Sequence, residues 1–426
     1  MIINNFTPAI RFKDFKEEWE AKKLGDIGKT FTGLSGKTKE DFGHGQGRFV
    51  TYMNVFSNPI SSLEQVEPIE VDNAQHSVRN GDVFFTTSSE IPEEVGMSSI
   101  WLGERENVYL NSFCFGFRPI SKLDDYYLAY MLRASSFRKK MIFLAQGISR
   151  YNISKNRVME IEVSNPSLNE QIQIGNYFKE LDVLIRSHEQ KLEKVTNLKK
   201  AMLEKMFPKS NEDVPEIRFK AFTEKWKKGN LGDIFDFNIP TNTMSRALLN
   251  DSEGQVKNIH YGDILIKYNN CLDANKEKIP FVNNGNIKDF KKCYLKNGDI
   301  VFADAAEDEA VGKSIEIFNV GDNHIVSGLH TIVARPILKF QKYFLGYYLN
   351  SNIYHLQLIY FMQGTKVLSL SKTSLKKTIL AYPSSEKEQQ KIGEYFQNLD
   401  QLISLSQQKI KQLKNVKQAL LQKMFL

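Results

Sequence analysis

The chain has 426 residues, a formal net charge of +7, and the balance of a globular protein, with 41% hydrophobic and 25% charged residues. Its three cysteines, Cys114, Cys271 and Cys293, are widely spaced and include no Cys-x-x-Cys pair. They therefore indicate neither a disulfide framework nor a thiolate metal site, which is typical of a reducing cytoplasm. No apolar run reaches the roughly 18 residues of a transmembrane helix, so we expect a cytoplasmic protein without a membrane segment.

The opening segment of the chain returns at residue 217. Residues 10–27 read IRFKDFKEEWEAKKLGDI and residues 217–234 read IRFKAFTEKWKKGNLGDI, with 11 of 18 positions identical. The Lys-Met-Phe string at 205–207 likewise returns at 423–425. This period is far longer than the roughly 20–50 residues of a solenoid repeat, so it indicates two copies of one domain.

Residues 1–165 alternate short apolar or aromatic runs with Gly- and Asn-rich turns. Runs such as 48–53 and 82–87 predict strands, and the glycine-rich string at 43–47 is interpreted as a loop. Apolar residues at helical spacing predict one helix over residues 124–143. We therefore predict a first mixed α/β domain over residues 1–165.

A long amphipathic pattern occupies residues 166–207. Its apolar positions step by four and three, and only His188 and Lys199 interrupt them. This pattern predicts a central helix of roughly 55 Å with a heptad seam. The proline-flanked polar string at 208–215 predicts a linker.

The second half repeats this order. Residues 216–383 repeat the mixed pattern, and residues 384–426 repeat the helix, with Ser406 and Lys417 at the two polar steps of its seam. The predicted fold class is therefore α+β, with two tandem mixed α/β domains that are each followed by a long helix.

The two long helices are predicted to pair with each other, because an apolar stripe of this length must pack against another surface. The linker is too short to return the chain along the helix, which favours an antiparallel coiled coil with pseudo-two-fold symmetry over a parallel pair. The alternative is that each helix packs only along its own domain. The predicted helix-pair core is Ile174, Phe178, Leu181, Ile185, Leu192, Val195, Met202, Ile392, Phe396, Leu399, Ile403, Ile410, Leu413 and Leu420.

Catalytic and metal-binding motifs are missing from the sequence. Gly-Lys-Ser/Thr strings at 28–30, 36–38 and 312–314 lack the upstream glycine that a phosphate-binding loop needs. The seven histidines are scattered without the spacing of a zinc site. We predict no catalysis, no metal site and no cofactor in this chain, and a fused nuclease is the least favoured alternative.

Polar, basic and aromatic loops lie at corresponding places in the two diverged middles. Their amides, hydroxyls and cations are the groups that read base edges and hold phosphates, and the net positive charge permits such binding. The predicted DNA-binding residues are Lys37, Lys39, Arg48, Thr86, Thr87, Ser88, Ser89, Gln146, Arg150, Tyr151, Asn242, Ser245, Arg246, Lys267, Asn269, Lys313, Gln363, Thr365 and Lys366.

Short motifs outside these loops recur in both halves. They include Asn-Gly-Asp-Val/Ile, Arg-Pro, Gln-Gly, and the string Gln-x-x-Ile-Gly-x-Tyr-Phe at the start of each long helix. With the repeated opening segment, they make the whole chain resemble the specificity subunits of type I restriction–modification systems.

The resemblance implies two target recognition domains, each reading one half of a bipartite, asymmetric site on double-stranded DNA. It implies that the helix pair acts as a ruler and as a dock for two methyltransferase subunits, and that restriction/translocase subunits join through this core. AdoMet, ATP and magnesium would belong to those partners, which would carry out adenine methylation or ATP-dependent restriction. The alternative is a non-catalytic scaffold whose repeated modules bind protein partners.

Overall fold

The computed structural model describes residues 7–425 and contains one α+β fold twice. Contacts divide the chain into two compact units. The first unit comprises described residues 7–189 and 408–425, and the second comprises residues 190–407. Each unit therefore holds one mixed module and a segment from each of the two long helices.

The first module contains mostly short strands and helices. Its strands are β1 (Glu20–Lys23), β2 (Gly28–Thr32), β3 (Phe42–Val50), β4 (Val66–Ile69), β5 (Val83–Thr86), β6 (Ser88–Ser89), β7 (Ser98–Ile100), β8 (Val108–Leu110), β9 (Cys114–Pro119), β10 (Tyr151–Asn152) and β11 (Glu162–Asn165). Its helices are α1 (Leu24–Ile27), α2 (Tyr52–Ser57), α3 (Asp125–Met131), α4 (Ser135–Phe143) and α5 (Lys155–Met159), followed by the long helix α6 (Leu168–Lys205), and 3₁₀ turns lie at Lys39–Asp41 and Pro92–Glu94.

Two sheets organise the first module. Strands β2, β9, β5 and β7 lie in that order in an antiparallel sheet. Strands β4, β3 and β8 form the second sheet, in which β3 and β8 run parallel. Strand β6 pairs with β10, and β1 pairs with β11. One core cluster joins Phe85 and Phe117 of the first sheet to Tyr127, Phe137 and Phe178 of the helices.

The second module repeats this set of elements. Its strands are β12 (Lys227–Asn230), β13 (Phe235–Asp236), β14 (Leu249–Asn250), β15 (Lys257–Ile259), β16 (Cys271–Asp273), β17 (Phe281–Val282), β18 (Ile300–Ala303), β19 (Ala305–Ala306), β20 (Ser314–Phe318), β21 (Ile325–Ser327), β22 (Thr331–Pro336), β23 (Leu368–Ser369) and β24 (Ile379–Tyr382). Its helices are α7 (Leu231–Ile234), α8 (Tyr261–Ile266), α9 (Phe344–Leu349), α10 (Asn352–Ile359) and α11 (Lys372–Lys376), followed by the long helix α12 (Glu386–Lys423), and 3₁₀ turns lie at Arg246–Leu248 and Ile287–Phe290.

The sheets of the second module follow the same plan. Strands β13, β22, β18 and β20 repeat the order of the first sheet, and β16 adds a fifth strand parallel to β20. Strands β14, β17, β15 and β21 form the second sheet, in which β15 and β21 run parallel. The prediction of two mixed modules, each followed by a long helix, is confirmed.

The Asn-Gly-Asp and Arg-Pro motifs form an ion pair inside each module. In the first module, Arg118 donates to both carboxylate oxygens of the buried Asp82, at 2.7 and 2.6 Å. In the second module, Arg335 binds the buried Asp299 in the same way, at 2.7 Å to each oxygen. The motifs therefore brace neighbouring strands of the sheet.

A buried carboxylate anchors the opening segment of the first module to α6. The guanidinium of Arg11 donates to both oxygens of Glu170, at 2.6 and 2.8 Å, and the indole nitrogen of Trp19 donates to the same carboxylate at 3.1 Å. Glu170 is fully buried, and its carboxylate raises the pKa of Arg11 above the ordinary value.

The second module contains the same arrangement. Arg218 donates to the two oxygens of Glu388 at 2.6 and 2.8 Å, and Trp226 donates to Glu388 at 3.3 Å. Each long helix therefore begins with a carboxylate that is held by the repeated Arg and Trp of the opening segment.

Segments of α6 and α12 pair antiparallel in the first unit. Lys417 binds Asp182 at 2.5 Å, and Lys414, earlier in α12, binds Glu189, later in α6, at 2.7 Å. The hydroxyl of Tyr130 donates to the second oxygen of Asp182 at 2.7 Å. The polar step of the predicted seam at Lys417 is therefore occupied by an ion pair.

The second unit shows the same pairing with the roles of the helices exchanged. Lys199 of α6 binds Asp400 of α12 at 2.5 Å, and Tyr347 donates to Asp400 at 2.7 Å. The ring of Phe207, after the end of α6, stacks on Phe396, near the start of α12, with centroids 5.7 Å apart. Antiparallel pairing is confirmed within each unit.

Every residue of the predicted helix-pair core is buried or half-buried in the structure. Ile174, Phe178 and Ile185 are buried in the first unit, and Ile392 and Phe396 are buried in the second. Helices α6 and α12 lie within the predicted ranges 166–207 and 384–426.

Three local predictions are wrong. The single helix over 124–143 is divided into α3 and α4, because Ala134 is extended (φ −66°, ψ 151°) and Arg133 turns to donate to the carbonyl of Ser98 at 2.6 Å. The predicted strand over 48–53 ends at Val50, since Thr51 caps α2. The glycine string at 43–47 belongs to β3, where the pairing register shifts.

We predict that Glu170→Gln destabilises the first unit by about 3–5 kcal/mol, because it leaves the Arg11 guanidinium with no buried counter-charge. The matched control is Glu180→Gln, an exposed position on the same helix, which should change the free energy of unfolding by less than about 0.5 kcal/mol. Urea unfolding of both variants gives the comparison, and equal values would contradict the assigned role.

The second module contains a buried carboxyl group, that of Glu316, which has no counterpart at the corresponding position of the first module. It lies on β20, is 2% exposed, and accepts a hydrogen bond from the backbone nitrogen of Gly346 at 2.7 Å. Burial raises the pKa of Glu316 to about 8. The register of the sheets places Ile100 at the corresponding position of the first module.

The raised pKa of Glu316 predicts a pH-dependent stability. Between the ordinary glutamate pKa and about 8, the folded protein holds a proton that the unfolded chain releases. The free energy of unfolding therefore falls as pH rises through this window, by up to about 1.4 kcal/mol per pH unit. Glu316→Gln should remove this loss, so its stability advantage over the unmodified protein should grow from pH 5 to 8. Thermal unfolding across that range measures it, with exposed Glu277→Gln as the control.

Candidate nucleic-acid interface

A short hairpin follows α4 in the first module. The backbones of Gln146 and Asn152 bond to each other in both directions, at 2.9 and 2.8 Å. Gly147 is required there, because its φ is 148° and a Cβ would lie 2.0 Å from the carbonyl of Arg150. The tip is exposed, with Ile148 at 97%.

The second module carries the same hairpin after α10, between Gln363 and Ser369. Gly364 has a φ of 123°, and a Cβ would lie 1.9 Å from the carbonyl of Val367. Thr365 and Lys366 at the tip are exposed. The repeated Gln-Gly motif therefore shapes a hairpin whose tip differs between the modules.

An open cavity of about 410 Å³ lies beside the first hairpin. The aromatic residues Tyr52, Phe56 and Phe113 and the polar residues Ser89 and Arg150 are among those that line it. The guanidinium of Arg150 lies 5.9 Å from the centroid of the Phe113 ring and forms no ion pair with any described residue. The cavity therefore offers aromatic surface, the guanidinium of Arg150, and the carboxylates of Glu90 and Glu94.

Two predicted contacts of the first module are buried. Thr86 is fully buried and its hydroxyl accepts a hydrogen bond from the backbone of Met97 at 3.0 Å, and Ser88 is 5% exposed. The prediction that Thr86 contacts DNA is corrected, because its side chain is enclosed within the module. Ser88 is among the residues that line the cavity, and its contact with DNA stays a prediction. Thr87 and Ser89 are half-buried and donate to the carbonyl of Phe113 and to Glu94, respectively. Tyr151 is also half-buried.

The predicted cations at 37–48 lie in a separate part of the first module and do not line the cavity. Lys37 binds Asp72 at 2.9 Å and thereby lowers the pKa of Asp72 to about 2. Arg48 donates to the carbonyls of Gly45 and Gly47 at 3.0 and 2.7 Å. Lys39 is exposed and has no ion pair among the described residues. Of these three, Lys39 is the cation available to a ligand.

Several predicted polar residues of the second module are engaged within it. Asn242 donates to Asn258 at 2.7 Å, and Arg246 binds Asp263 at 2.5 Å while half of its side chain stays exposed. Ser245 and Asn269 are exposed.

Two predicted lysines of the second module donate to backbone carbonyls. Lys267 bonds to the carbonyl of Lys278, and Lys313 bonds to the carbonyl of Leu265 at 2.9 Å. Burial lowers the pKa of Lys313. Lys313 is therefore a structural residue of the module, and its prediction as a DNA contact is corrected.

A pair that sequence reasoning missed lies at the ends of β18 and β22. A carboxylate oxygen of Asp304 is 3.3 Å from Nδ1 of His330, and the ring of Tyr261 lies 5.3 Å from the imidazole. His330 has a φ of 54°, in the left-handed region. Burial raises the pKa of Asp304. The repeat of the strand motifs in both halves was the available sequence signal. Pairing β18 with β22 would have placed Asp304 beside His330.

Within residues 7–425, no group of three or more His, Cys, Asp or Glu side chains could hold a metal ion. None of the helices in that range is both long and apolar enough to span a membrane.

Comparison with known proteins gives concordant matches. The family model described as type I restriction modification DNA specificity domain matches residues 16–197 and 223–415. The type I restriction enzyme MjaVIII specificity subunit of Methanocaldococcus jannaschii is 23% identical over 438 aligned residues, covering 99% of this chain and 96% of that one. The MjaX specificity subunit of the same organism is 28% identical over 233 residues, and the match spans 52% of this chain and 53% of that one.

Solved structures share the fold. The S subunit of a type I restriction–modification system from M. genitalium aligns with a TM-score of 0.57 at 15% identity over 99% of both chains. A chain from a study of complex assembly and conformational transition of the type I R-M system aligns with a TM-score of 0.55 at 16% identity, over 95% of this chain and 96% of that one.

We predict that Lys39→Ala and Lys366→Ala each weaken DNA binding and reduce its logarithmic salt slope by about one, because each removes one exposed cation that has no ion pair among the described residues. Lys313→Met is the matched control, since that ammonium already bonds to a carbonyl of its own module. Affinity for duplex DNA measured between about 50 and 200 mM salt tests this. An unchanged slope in both alanine variants would contradict it.

Proposed function

Because the chain belongs to the type I restriction modification DNA specificity family, we propose that it is a DNA sequence-recognition subunit. Each module reads one half of a bipartite, asymmetric site on double-stranded DNA. The subunit thereby directs the adenine methylation or ATP-dependent restriction that its partner subunits perform. The family match favours this function over a scaffold whose modules bind only proteins.

The observation that carries the proposal is a single backbone frame with two different sets of exposed groups. The two hairpins have the same length and the same bridge, yet Ser149 and Arg150 in one correspond to Lys366 and Val367 in the other. DNA is a suitable ligand for two such modules, because its phosphate backbone is uniform while its base edges vary with sequence.

Unpaired cations support a DNA partner. Lys39 and Lys366 are exposed and form no ion pair with any described residue. Cations in such places neutralise phosphates and release counterions, which supplies affinity without specifying sequence. Specificity then depends on the amides, hydroxyls and rings beside them.

Equivalent helix-pair surfaces support a partner that binds in two copies. The Lys–Asp–Tyr contact of the first unit, at Lys417, returns in the second unit at Lys199. A surface built twice can bind the same partner twice. We assign two methyltransferase subunits to these helix pairs, with restriction/translocase subunits joining through that assembly.

The chemistry is assigned to the partner subunits. AdoMet, ATP and magnesium would be bound there, and this chain would contribute only the choice of DNA sequence. Its own polar groups act by hydrogen bonding and charge, which requires no nucleophile or general base.

Module exchange tests the function. We predict that replacing residues 30–165 with the corresponding segment of another family member changes one half-site of the methylated sequence. The other half-site should stay unchanged and serves as the internal control. Methylation of genomic DNA by the hybrid chain with its cognate methyltransferase subunits is read by methylome sequencing. If both half-sites stay unchanged while the hybrid assembles normally, the proposed function is wrong.

A further inference from the structure

One place in both modules combines equivalent strand pairing with different side-chain chemistry. In the first module, the backbone nitrogen of Thr87 donates to the carbonyl of Phe113 at 2.9 Å, just after β5. In the second module, Asp304 donates to the carbonyl of His330 at 3.0 Å, just after β18. The register of β5 with β9 and of β18 with β22 makes these positions equivalent.

We call this place the strand-end site. It comprises Thr87, Phe113 and Arg150 in the first module, and the corresponding Asp304, His330 and Val367 in the second. The third position is equivalent because both hairpins have the same length between their bridges.

A tyrosine is shared by the two copies of the strand-end site. Tyr52 begins α2 and lines the cavity beside Phe113, and Tyr261 begins α8 and packs its ring against His330. The preceding residue, Thr51 or His260, caps each helix through its side chain. In both modules, therefore, the site lies beside a helix that begins with a side-chain cap followed by a tyrosine.

The side chains of the strand-end site are exposed or half-buried, so the core does not determine them. Phe113 is 54% exposed, and the side chains of His330 and Asp304 are 50% and 26% exposed. His330 also keeps a left-handed backbone, which is unfavourable for a residue with a Cβ and is found preferentially at functional positions.

The two copies offer different charged groups. The first presents the guanidinium of Arg150 beside the Phe113 ring, in a cavity that Glu90 and Glu94 also line. The second presents the carboxylate of Asp304, which contacts the imidazole of His330. A carboxylate facing DNA is repelled by phosphates, so it suits a hydrogen-bond donor on a base.

We propose that the strand-end site reads a base edge in each half-site, an inference that rests on the proposed function. Arg150 donates to the acceptor edge of a guanine, and Phe113 packs against the neighbouring base or sugar. Asp304, held by His330, accepts from the exocyclic amino group of an adenine or a cytosine. The difference between the two copies is what makes the recognised site asymmetric at these positions.

The test introduces two of the three residues of the first copy into the second. The double variant Asp304→Thr/His330→Phe is assembled as the full chain with the cognate methyltransferase subunits and given a duplex library with both half-sites randomised. We expect discrimination at one position of one half-site to fall by about ten-fold or more, with the other half-site unchanged. The matched control is Asp322→Thr, which removes one exposed carboxylate in the turn after β20 and should leave both half-sites intact.

A second variant keeps the test decisive if the first fails to fold. Arg150→Val should relax one guanine position in the opposite half-site by a similar factor. Unchanged specificity in every variant that melts as the unmodified protein does would overturn the strand-end site. The proposed function is tested separately by the module exchange. If the module exchange also leaves both half-sites unchanged, the proposed function itself fails.

Discussion

The buried carboxylate at the start of each long helix is the interaction on which each unit depends. Glu170 and Glu388 are almost completely removed from water, and a carboxylate there is tolerated only when it is fully paired. The opening segment supplies the pairing through one arginine and one tryptophan. The first residues of a module and the helix that follows it are thus tied together, so the strands between them are enclosed by contacts at both ends.

The residues after each long helix pack into a core: those after α12 in the first unit and those after α6 in the second. The ring of Phe425, after α12, lies 5.6 Å from Phe178 in the first unit, as Phe207 stacks on Phe396 in the second. Backbone bonds from Ile10 to the carbonyl of Lys423 and from Ile217 to the carbonyl of Lys205, each 2.9 Å, show the same correspondence. Each core therefore uses the end of the helix that follows the other module, which explains why both halves close on Lys-Met-Phe.

Two kinds of feature could be predicted from the sequence: segments that occur in both halves, and helices whose apolar residues follow a heptad pattern. The long helices and the polar step at Lys417 follow from the heptad pattern, although the ion pair with Asp182 does not, because it joins residues far apart in sequence. The division between α3 and α4 is not predictable from the sequence, because Arg133 bonds to carbonyls of β7 and α2, which are distant along the chain. The burial of Thr86 is not predictable for a related reason, since an isolated hydroxyl gives no sign of which face of a strand is buried.

Comparison of the two halves separates the residues that stabilise the fold from the residues that are expected to contact bases. Motifs present in both halves, such as Asp82 with Arg118, neutralise buried charge or permit tight turns, and both copies need them whatever DNA each one meets. A residue that reads a base has the opposite requirement, because it must be free to change without loss of stability. Half-exposed side chains at the ends of paired strands meet that condition, and Phe113 and His330 occupy such positions. Asymmetric recognition can therefore arise from a symmetric frame by substitution at a few strand ends, with no change in fold.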